Sequence, residues 1–412
     1  MIVRPHICLN AIVKNEAASI RPWLESVVDH IDSWVIMDTG STDNTKEEIE
    51  TFFDERGIFG ALVDREFGDF SAARNEAVRL AEHWLLPRLG WPTHLLLMDA
   101  DMRLVTTSDP WLAGHTRDIG LMQVREPDGT TYWTPRLRRV GCDLWYSGVT
   151  HEVLDMPMDR TTKILGASIE HLANGTNRAD KYERDIRLLK AAIAANPNDA
   201  RAWFYLGQSY MGLQDWDAAK SCFYTRSQMG GWDEEVWFSE LQAARCCYQR
   251  IGPCFRGGDA IAVAVSRTLE AYDARPTRAE PLADLVGYMI EAGNLNAAAL
   301  FRDKIRDIPM PEDLLFVDPA AYDLPYRHDW NNAVTAKHWA TAEITAGACA
   351  LRHRGDPGFW YHAWAKALWE NGHRAKAIAT AETGLRLCPD RATLEADLAV
   401  MRGLVDGKIT PS

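Results

Sequence analysis

The chain has 412 residues and a formal net charge of −13, and 47% of its residues are apolar. This length exceeds what one hydrophobic core usually serves, so we expect two or three domains. The negative charge disfavours nucleic acid and anionic membranes as partners without excluding them. No apolar run reaches the roughly 20 residues of a membrane span, and the first residues lack a secretion signal, which predicts a cytoplasmic protein.

Through about residue 175, short apolar runs of strand length alternate with amphipathic helical patterns. The runs ICLNAIV, SWVIMD, HLLLMD and IGLMQV read as strands, and TKEEIETFFDERG reads as a helix between two of them. Strands that alternate with helices predict a mostly parallel sheet covered by helices on both faces. Ligands of such sheets bind outside the carboxyl ends of the strands.

Acidic residues stand at the predicted carboxyl ends of two of these strands. Asp38 ends SWVIMD, and Asp99 and Asp101 follow HLLLM with one alanine between them. Two carboxylates at the mouth of a sheet can serve Mg²⁺ or Mn²⁺, because hard cations prefer oxygen ligands. The alternative is that they are turn acids that hold no metal.

From about residue 180 the strand signal ends and the chain reads as helices. Residues 196–223 and 356–389 each carry the residue pattern of a tetratricopeptide repeat, and weaker copies lie between them. Such helix pairs bury their apolar faces by stacking into a solenoid. We predict an α/β domain over 1–180, helical repeats over 181–412, and an irregular connection at 313–332, where Pro319 and Pro325 interrupt the pattern.

Five motifs together resemble the family 2 glycosyltransferases, which have the GT-A (Rossmann-like) fold. In chain order they are CLNAIVKNE, VIMDTGSTDNT, DFSAARNEA, LLLMDAD and GVTHEVL, and DAD is similar to the family's DXD motif. The resemblance covers roughly residues 5–190, and the repeats are similar to a bacterial and viral subgroup that carries them. It implies an inverting, metal-dependent hexosyltransferase that uses a nucleotide-sugar, with a UDP-sugar and Mn²⁺ or Mg²⁺ as our first expectation.

The resemblance also implies a donor site. The base and ribose are expected near the first two strand ends, although Thr39 stands where the family often has a second acid. The phosphates are expected near the DXD motif and the DFSAARNEA helix, with a cation on Asp99, Asp101 and His171. The donor-binding residues implied are Asn10, Ala11, Ile12, Asp38, Arg74, Asn75, Asp99, Ala100, Lys181 and Arg184. Structural roles remain the alternative for Arg74, Asn75, His171, Lys181 and Arg184.

An inverting transfer needs one base that accepts the acceptor's proton. Glu152, in the motif similar to the family's acceptor-side motif, is our candidate, and His151 is the second because histidine titrates near neutrality. The alternative for Glu152 is an ion pair with Arg136, Arg138 or Arg139. For the acceptor wall we predict Trp133, Arg136, Trp145 and Tyr146, with core packing as the alternative for the aromatic residues.

The expected partners follow from the two halves of the chain. Tetratricopeptide grooves commonly hold peptides, so a protein or peptide acceptor is our first expectation. A glycan, a lipid-linked precursor or a modified nucleic-acid base are the alternatives, and the repeats could also mediate a homo-oligomer. A different class of function is a repeat scaffold that binds a nucleotide-sugar without turnover.

Overall fold

The computed structural model describes residues 5–85, 93–107, 111–112, 115–127, 131–172, 181–251, 259–311, 316–351, 357–388 and 392–406. The chain divides into two compact units, Met1–Ser209 and Tyr210–Ser412. None of the described helices has the length and apolar composition that crossing a membrane requires.

The first unit is built on an eight-stranded mixed sheet. In chain order its strands are β1 (His6–Val13), β2 (Ser33–Asp38), β3 (Gly60–Asp64), β4 (Thr93–Leu97), β5 (Met102–Thr106), β6 (Ile119–Arg125) and β7 (Thr131–Arg139), with β10 (Thr161–His171). The short strands β8 (Tyr146–Ser147) and β9 (Val153–Leu154) pair separately. The spatial order is β3-β2-β1-β4-β7-β6-β10-β5. The first four strands run parallel, so their carboxyl ends meet at one edge.

Helices cover both faces of this sheet, as the sequence predicts. The first-unit helices are α1 (Ile20–Val27), α2 (Thr45–Arg56), α3 (Phe70–Leu85), α4 (Lys181–Ala195) and α5 (Ala200–Gly212), the last continuing into the second unit, with short 3₁₀ turns at Val28–His30 and Met158–Arg160. Because strand side chains alternate, Leu9 and Ile36 pack against α1 and α2, whereas Cys8 and Val35 pack against α3. Gly60 is required at its position, since a Cβ there would lie 2.3 Å from the Trp34 ring.

The second unit is helical, and consecutive helices pack against each other. Its helices are α6 (Trp216–Ser227), α7 (Asp233–Ile251), α8 (Asp259–Ala274), α9 (Glu280–Glu291), α10 (Leu295–Ile305), α11 (Pro319–Thr335), α12 (Trp339–Leu351), α13 (Pro357–Glu370), α14 (Arg374–Leu387) and α15 (Ala392–Val405). This agrees with the prediction of an α/β domain followed by helical repeats.

The same turn recurs after α5, α9, α11 and α13. In each case a residue with positive φ is followed by a residue whose N–H bonds the carbonyl five positions earlier, which is the Schellman pattern. The residues with positive φ are Gln214, Gly293, Lys337 and Gly372. These turns join consecutive helices of the helical part, but the same turn also ends α2 at Gly57, so it marks helix ends and does not by itself identify a repeat.

The predicted irregular connection at 313–332 is wrong from residue 319 onwards, and residues 312–315 lie outside the described part of the chain. Helix α11 begins at Pro319, where a missing N–H costs nothing because the first-turn N–H groups have no partner within the helix. Asp318 caps it by accepting from Ala320 N at 2.9 Å. Pro325 lies inside the helix next to Tyr322 and Asp323, which are fully buried, so tertiary packing outweighs the local penalty.

Candidate active site

A cavity of about 1260 Å³ lies at the carboxyl ends of β1 and β4 in the first unit. Its wall combines the two turns after β1 and β2, one face of β7, the end of β10 and the start of α4. Twelve of its lining residues are Lys14, Arg74, Asp99, Asp101, Tyr132, Arg136, His151, Glu152, His171, Lys181, Arg184 and Arg187. Cationic and acidic side chains therefore meet where the fold places a ligand.

The turns after β1 and β2 hold each other in place through side-chain hydrogen bonds. Asn15, whose backbone is left-handed (φ 54°), donates its N–H to Ser41 Oγ at 2.9 Å and accepts from Thr42 N at 2.7 Å. The N–H of Glu16 donates to Thr45 Oγ1 at 2.7 Å. These contacts fix the rim of the cavity at its β1 end.

Arg74 lines the cavity and joins two carboxylates. Its Nη2 donates to Asp99 Oδ1 at 2.8 Å, and its Nε donates to Glu152. Arg136 lies 3.5 Å from the other oxygen of Asp99. Burial alone would raise the pKa of Asp99, but the two guanidinium groups outweigh it and hold that pKa below its usual range. The ion pair of Glu152 is therefore with Arg74, which corrects the alternative partners Arg136, Arg138 and Arg139.

Asp101 belongs to a second chain of contacts that contains two residues absent from the predicted site, Glu126 and Tyr132. Asp101 Oδ2 lies 3.1 Å from His171 Nε2, and His171 Nδ1 lies 2.6 Å from Glu126 Oε2. Tyr132 donates its hydroxyl to the other oxygen of Glu126 at 2.7 Å. The hydrogen bond to Asp101 outweighs burial and, with Glu126, raises the pKa of His171 to about 9. Without a bound cation, His171 is therefore an imidazolium between two carboxylates.

The alternation of β7 decides which residues of the predicted acceptor wall face the cavity. Tyr132 and Arg136 line it, and Trp133 points to the opposite face, where it packs against Leu121 and Leu144. Trp145 packs beside α3, between the guanidinium groups of Arg79 and Arg138. These positions correct the prediction that the two tryptophans form the wall.

Several predicted donor residues hold the scaffold and do not line the cavity. Asn10 donates to the carbonyls of Val35 and Ala77, both at 3.0 Å, and Ala11 is buried next to it. The amide of Asn75 exchanges two hydrogen bonds with the backbone of Tyr146, at 2.8 and 2.9 Å. Tyr146, predicted for the acceptor wall, is partly buried beside α3 and is not among the residues that line the cavity. Ile12, Ala100, Lys181 and Arg184 do line the cavity.

Asp38 is fully buried at the end of β2. Its Oδ1 accepts from the N–H groups of Gly40 and Ser41 at 2.9 and 2.8 Å, which holds the turn after the strand. Its Oδ2 is buried and has no hydrogen-bond partner among the described residues. A buried oxygen without a partner is costly, and Asp38 itself is not among the residues that line the cavity, although its neighbour Thr39 is.

The loop that carries Glu152 has an unusual backbone. Gly148 and His151 have positive φ values of 95° and 50°, and a left-handed residue other than glycine costs about 1–2 kcal/mol. The His151 ring stacks on Tyr205 of α5, with centroids 4.2 Å apart and planes inclined by 6°. Desolvation of the ring and the nearby Lys181 lower the pKa of His151.

Comparison with known proteins assigns part of the first unit to a family. Residues 11–105, from β1 to β5, match the family model described as Glycosyl transferase family 2. The chain therefore contains a family 2 glycosyltransferase domain. A comparison with curated proteins found no match.

Solved structures similar to the chain are helical-repeat proteins. Yeast Tom70 is 17% identical over 58% of this chain and 46% of its own, with a TM-score of 0.42. A thermophilic TPR protein of Thermus thermophilus is 15% identical over 54% of this chain and 92% of its own, with a TM-score of 0.28. The chain thus spans a little under half of the length of Tom70.

Family 2 glycosyltransferases commonly use divalent metals. Within the described part of this domain, no three His, Cys, Asp or Glu side chains form a cluster that could hold a metal ion by itself. However, Mg²⁺ at nucleotide sites is often bound by only one or two carboxylates, with phosphates and water as the other ligands. Asp101 and His171 line the cavity, and a cation that displaces the imidazolium proton would gain the Asp101 carboxylate and His171 Nε2 as ligands. This pair fits a cation whose coordination a diphosphate completes.

Proposed function

We propose that the protein is an inverting glycosyltransferase that moves a sugar from a UDP-sugar to a protein or peptide side chain. The observation that carries the proposal is the convergence of Arg74, Asp99, Asp101 and Glu152 on one cavity at the strand ends. It brings together cationic groups for a diphosphate, a donor set for a cation and a carboxylate for proton transfer.

The donor's place follows from the charges in the wall. We place the nucleoside at the end lined by Ile12 and Thr39, which lies next to Asp38 and its buried Oδ2 without a hydrogen-bond partner among the described residues. Arg74, Lys181 and Arg184 supply positive charge for the diphosphate. Asp101 and His171 would hold Mn²⁺ or Mg²⁺, whose chemistry is to neutralise the departing diphosphate. Glu126 holds the other ring nitrogen of His171, which keeps Nε2 directed at Asp101.

Glu152 acts as the general base in this proposal. It accepts the proton of the acceptor hydroxyl while the acceptor oxygen bonds to the anomeric carbon and the bond from that carbon to the diphosphate oxygen breaks. Arg74 orients the carboxylate through its Nε. His151 is less suited to this role, because its ring is stacked on Tyr205.

The acceptor would enter past Tyr132 and Arg136, the two β7 residues that line the cavity. We propose residues 1–180 as the catalytic domain, residues 181–412 as repeats that recognise the acceptor, and the cytoplasm as the location. A nucleotide-sugar-binding scaffold without turnover is the competing function, and the intact candidate base and cation ligands favour the enzyme.

The test is UDP release from a panel of UDP-sugars in Mn²⁺, together with UDP affinity by calorimetry. The wild-type chain should bind UDP and slowly hydrolyse at least one UDP-sugar, with water as the acceptor. Glu152→Gln should bind UDP equally well but should form UDP from the UDP-sugar far more slowly. UDP binding without any release would favour the scaffold. Absence of UDP binding would overturn the choice of donor.

A further inference from the structure

Helix α5 contacts the loop of Glu152, although it lies about a hundred residues beyond the segment that matches the glycosyltransferase family. Arg201 Nη2 donates to the backbone carbonyl of His151 at 2.9 Å. The Tyr205 ring lies parallel to the His151 imidazole at 4.2 Å. Arg201 also donates to the Tyr205 hydroxyl at 3.1 Å, so the two side chains support each other.

These contacts hold the one residue of the loop whose backbone is least suited to its side chain. His151 has a φ of 50°, and residues in this region persist where surrounding groups fix them. Arg201 holds its carbonyl and Tyr205 covers its ring, so both the main chain and the side chain of His151 are restrained from α5. Glu152 is the next residue, and its carboxylate pairs with Arg74.

We propose that Arg201 and Tyr205 are positioning residues for the reaction: they act through His151 to keep Glu152 in place. This inference rests on the proposed role of Glu152 as the base. It makes α5, the first helix of the Asn196–Phe223 repeat, part of the catalytic machinery as well as of the helical half. A misplacement of about 1 Å at a reacting group can lower a rate by about 10²-fold. Loss of the contact between α5 and His151 should therefore produce a measurable fall in the reaction rate.

The first experiment reads the position of the loop without any activity. Hydrogen exchange of the peptide over residues 148–154 is compared in the full chain between wild type, Tyr205→Ala, Arg201→Gln and the control Trp203→Ala. Trp203 is an aromatic residue of the same helix whose indole N–H bonds the Pro197 carbonyl. We expect faster exchange in the variants at 201 and 205 only. Equal exchange in all three variants would overturn the proposal.

The second experiment asks whether Tyr205 acts through Glu152. It uses the UDP-sugar that the wild type hydrolyses fastest. The rate of UDP formation and the affinity for UDP are measured for Tyr205→Ala, Glu152→Gln and the double variant. Tyr205→Ala should lower the rate by about 10- to 100-fold at unchanged UDP affinity, and Tyr205→Phe, which keeps the stacked ring, should retain most of the rate. In the Glu152→Gln background the effect of Tyr205→Ala should vanish, because the group it positions is gone.

The outcomes separate this inference from the proposed function. Losses that multiply in the double variant would overturn the positioning role and leave Glu152 as the base. An unchanged rate in Glu152→Gln would overturn the assignment of Glu152 as the general base. If the wild type releases no UDP from any sugar, the proposed function fails, and the hydrogen exchange of residues 148–154 still decides whether α5 holds the loop.

Discussion

Both units of the protein contain networks of arginine and carboxylate side chains, but the two networks differ in their access to solvent. In the first unit, Arg74, Arg136, Asp99 and Glu152 keep 13–26% of their side-chain surface exposed along the cavity wall. In the second unit, Arg278 bridges Glu234 and Glu280, and these three side chains are 0–4% exposed.

The difference shows how the same residue types serve two purposes. Arg278 also donates to the Phe316 carbonyl at 2.8 Å, and Glu280 accepts from the Tyr322 hydroxyl at 3.3 Å, so protein groups satisfy the buried charges. Such a network ties together the helices that contribute to it. The pairs around Arg74 border open space, so a diphosphate or a hydroxyl can reach them. Exposure to a cavity, and not the presence of ion pairs, distinguishes the network that we propose to be reactive.

The largest effect should come from Glu152→Gln in the exposed network. The amide keeps the shape of the side chain but cannot accept a proton, so UDP release should fall by about 10²- to 10⁴-fold. UDP affinity should stay within a factor of about two, because the groups that hold the nucleotide remain. The measurement is the rate and the affinity on one protein sample.

The opposite pattern would reassign Glu152. If UDP affinity falls with the rate, this carboxylate serves the donor site or the fold. The conservative partner Glu152→Asp retains the base but shortens the side chain, and it should therefore lose less activity than Glu152→Gln.

In the buried network, Arg278→Met should act on stability and not on nucleotide binding. Removing the guanidinium leaves two buried carboxylates without their main partner, which costs about 3–5 kcal/mol when a buried pair is broken. The free energy of unfolding of this region can be followed by hydrogen exchange of peptides from α7 to α9 in urea. Unchanged exchange would mean that Arg275, which also pairs with Glu234, and Tyr322 compensate for the loss.

The sequence predicted the sheet, the helical half and a ligand-sized cavity at the strand ends because these depend on local patterns. Strand-length apolar runs end at Asp38 and Asp99, and parallel strands bring such ends to one edge. The Schellman turns carry their own signal, since glycine stands at the left-handed position in two of the four. Residues at parallel strand ends and at helix-ending turns can therefore be identified from the sequence without coordinates.

What the sequence did not predict depends on which face a strand presents and on distant contacts. Tyr132 and Trp133 are adjacent in β7, and only the register with β6 and β4 decides which one meets the cavity. Glu126 lies directly after β6 and belongs to none of the five motifs, and its partner His171 is 45 residues away. Arg201 and Tyr205 lie in a helix whose sequence pattern indicates a repeat. No pattern near them in the sequence predicts their contact with His151.

A smaller effect is expected at Glu126, which lies behind the candidate cation ligand His171. In Glu126→Gln the imidazole loses the carboxylate that orients it, and the loss of such a partner commonly lowers metal affinity by about 10- to 100-fold. Mn²⁺ binding in the presence of UDP, measured by electron paramagnetic resonance, reports this directly. Asp101→Asn is the reference, because it removes a ligand itself and should weaken binding further. If Mn²⁺ binds equally to all three proteins, the cation site lies elsewhere.

The smallest effect should come from an ion pair that is open to solvent on both sides. Arg267 donates to Glu270 at 2.8 Å on α8, and both side chains are more than half exposed. Water already solvates these charges, so Arg267→Ala should change the free energy of unfolding by no more than about 0.5 kcal/mol. The same hydrogen-exchange measurement used for Arg278→Met makes the two variants a matched pair: one arginine–glutamate contact within the helical unit is buried and one is exposed. A loss at Arg267 as large as that at Arg278 would show that burial does not set the value of these pairs, and the contrast between the two networks would then lose its physical basis.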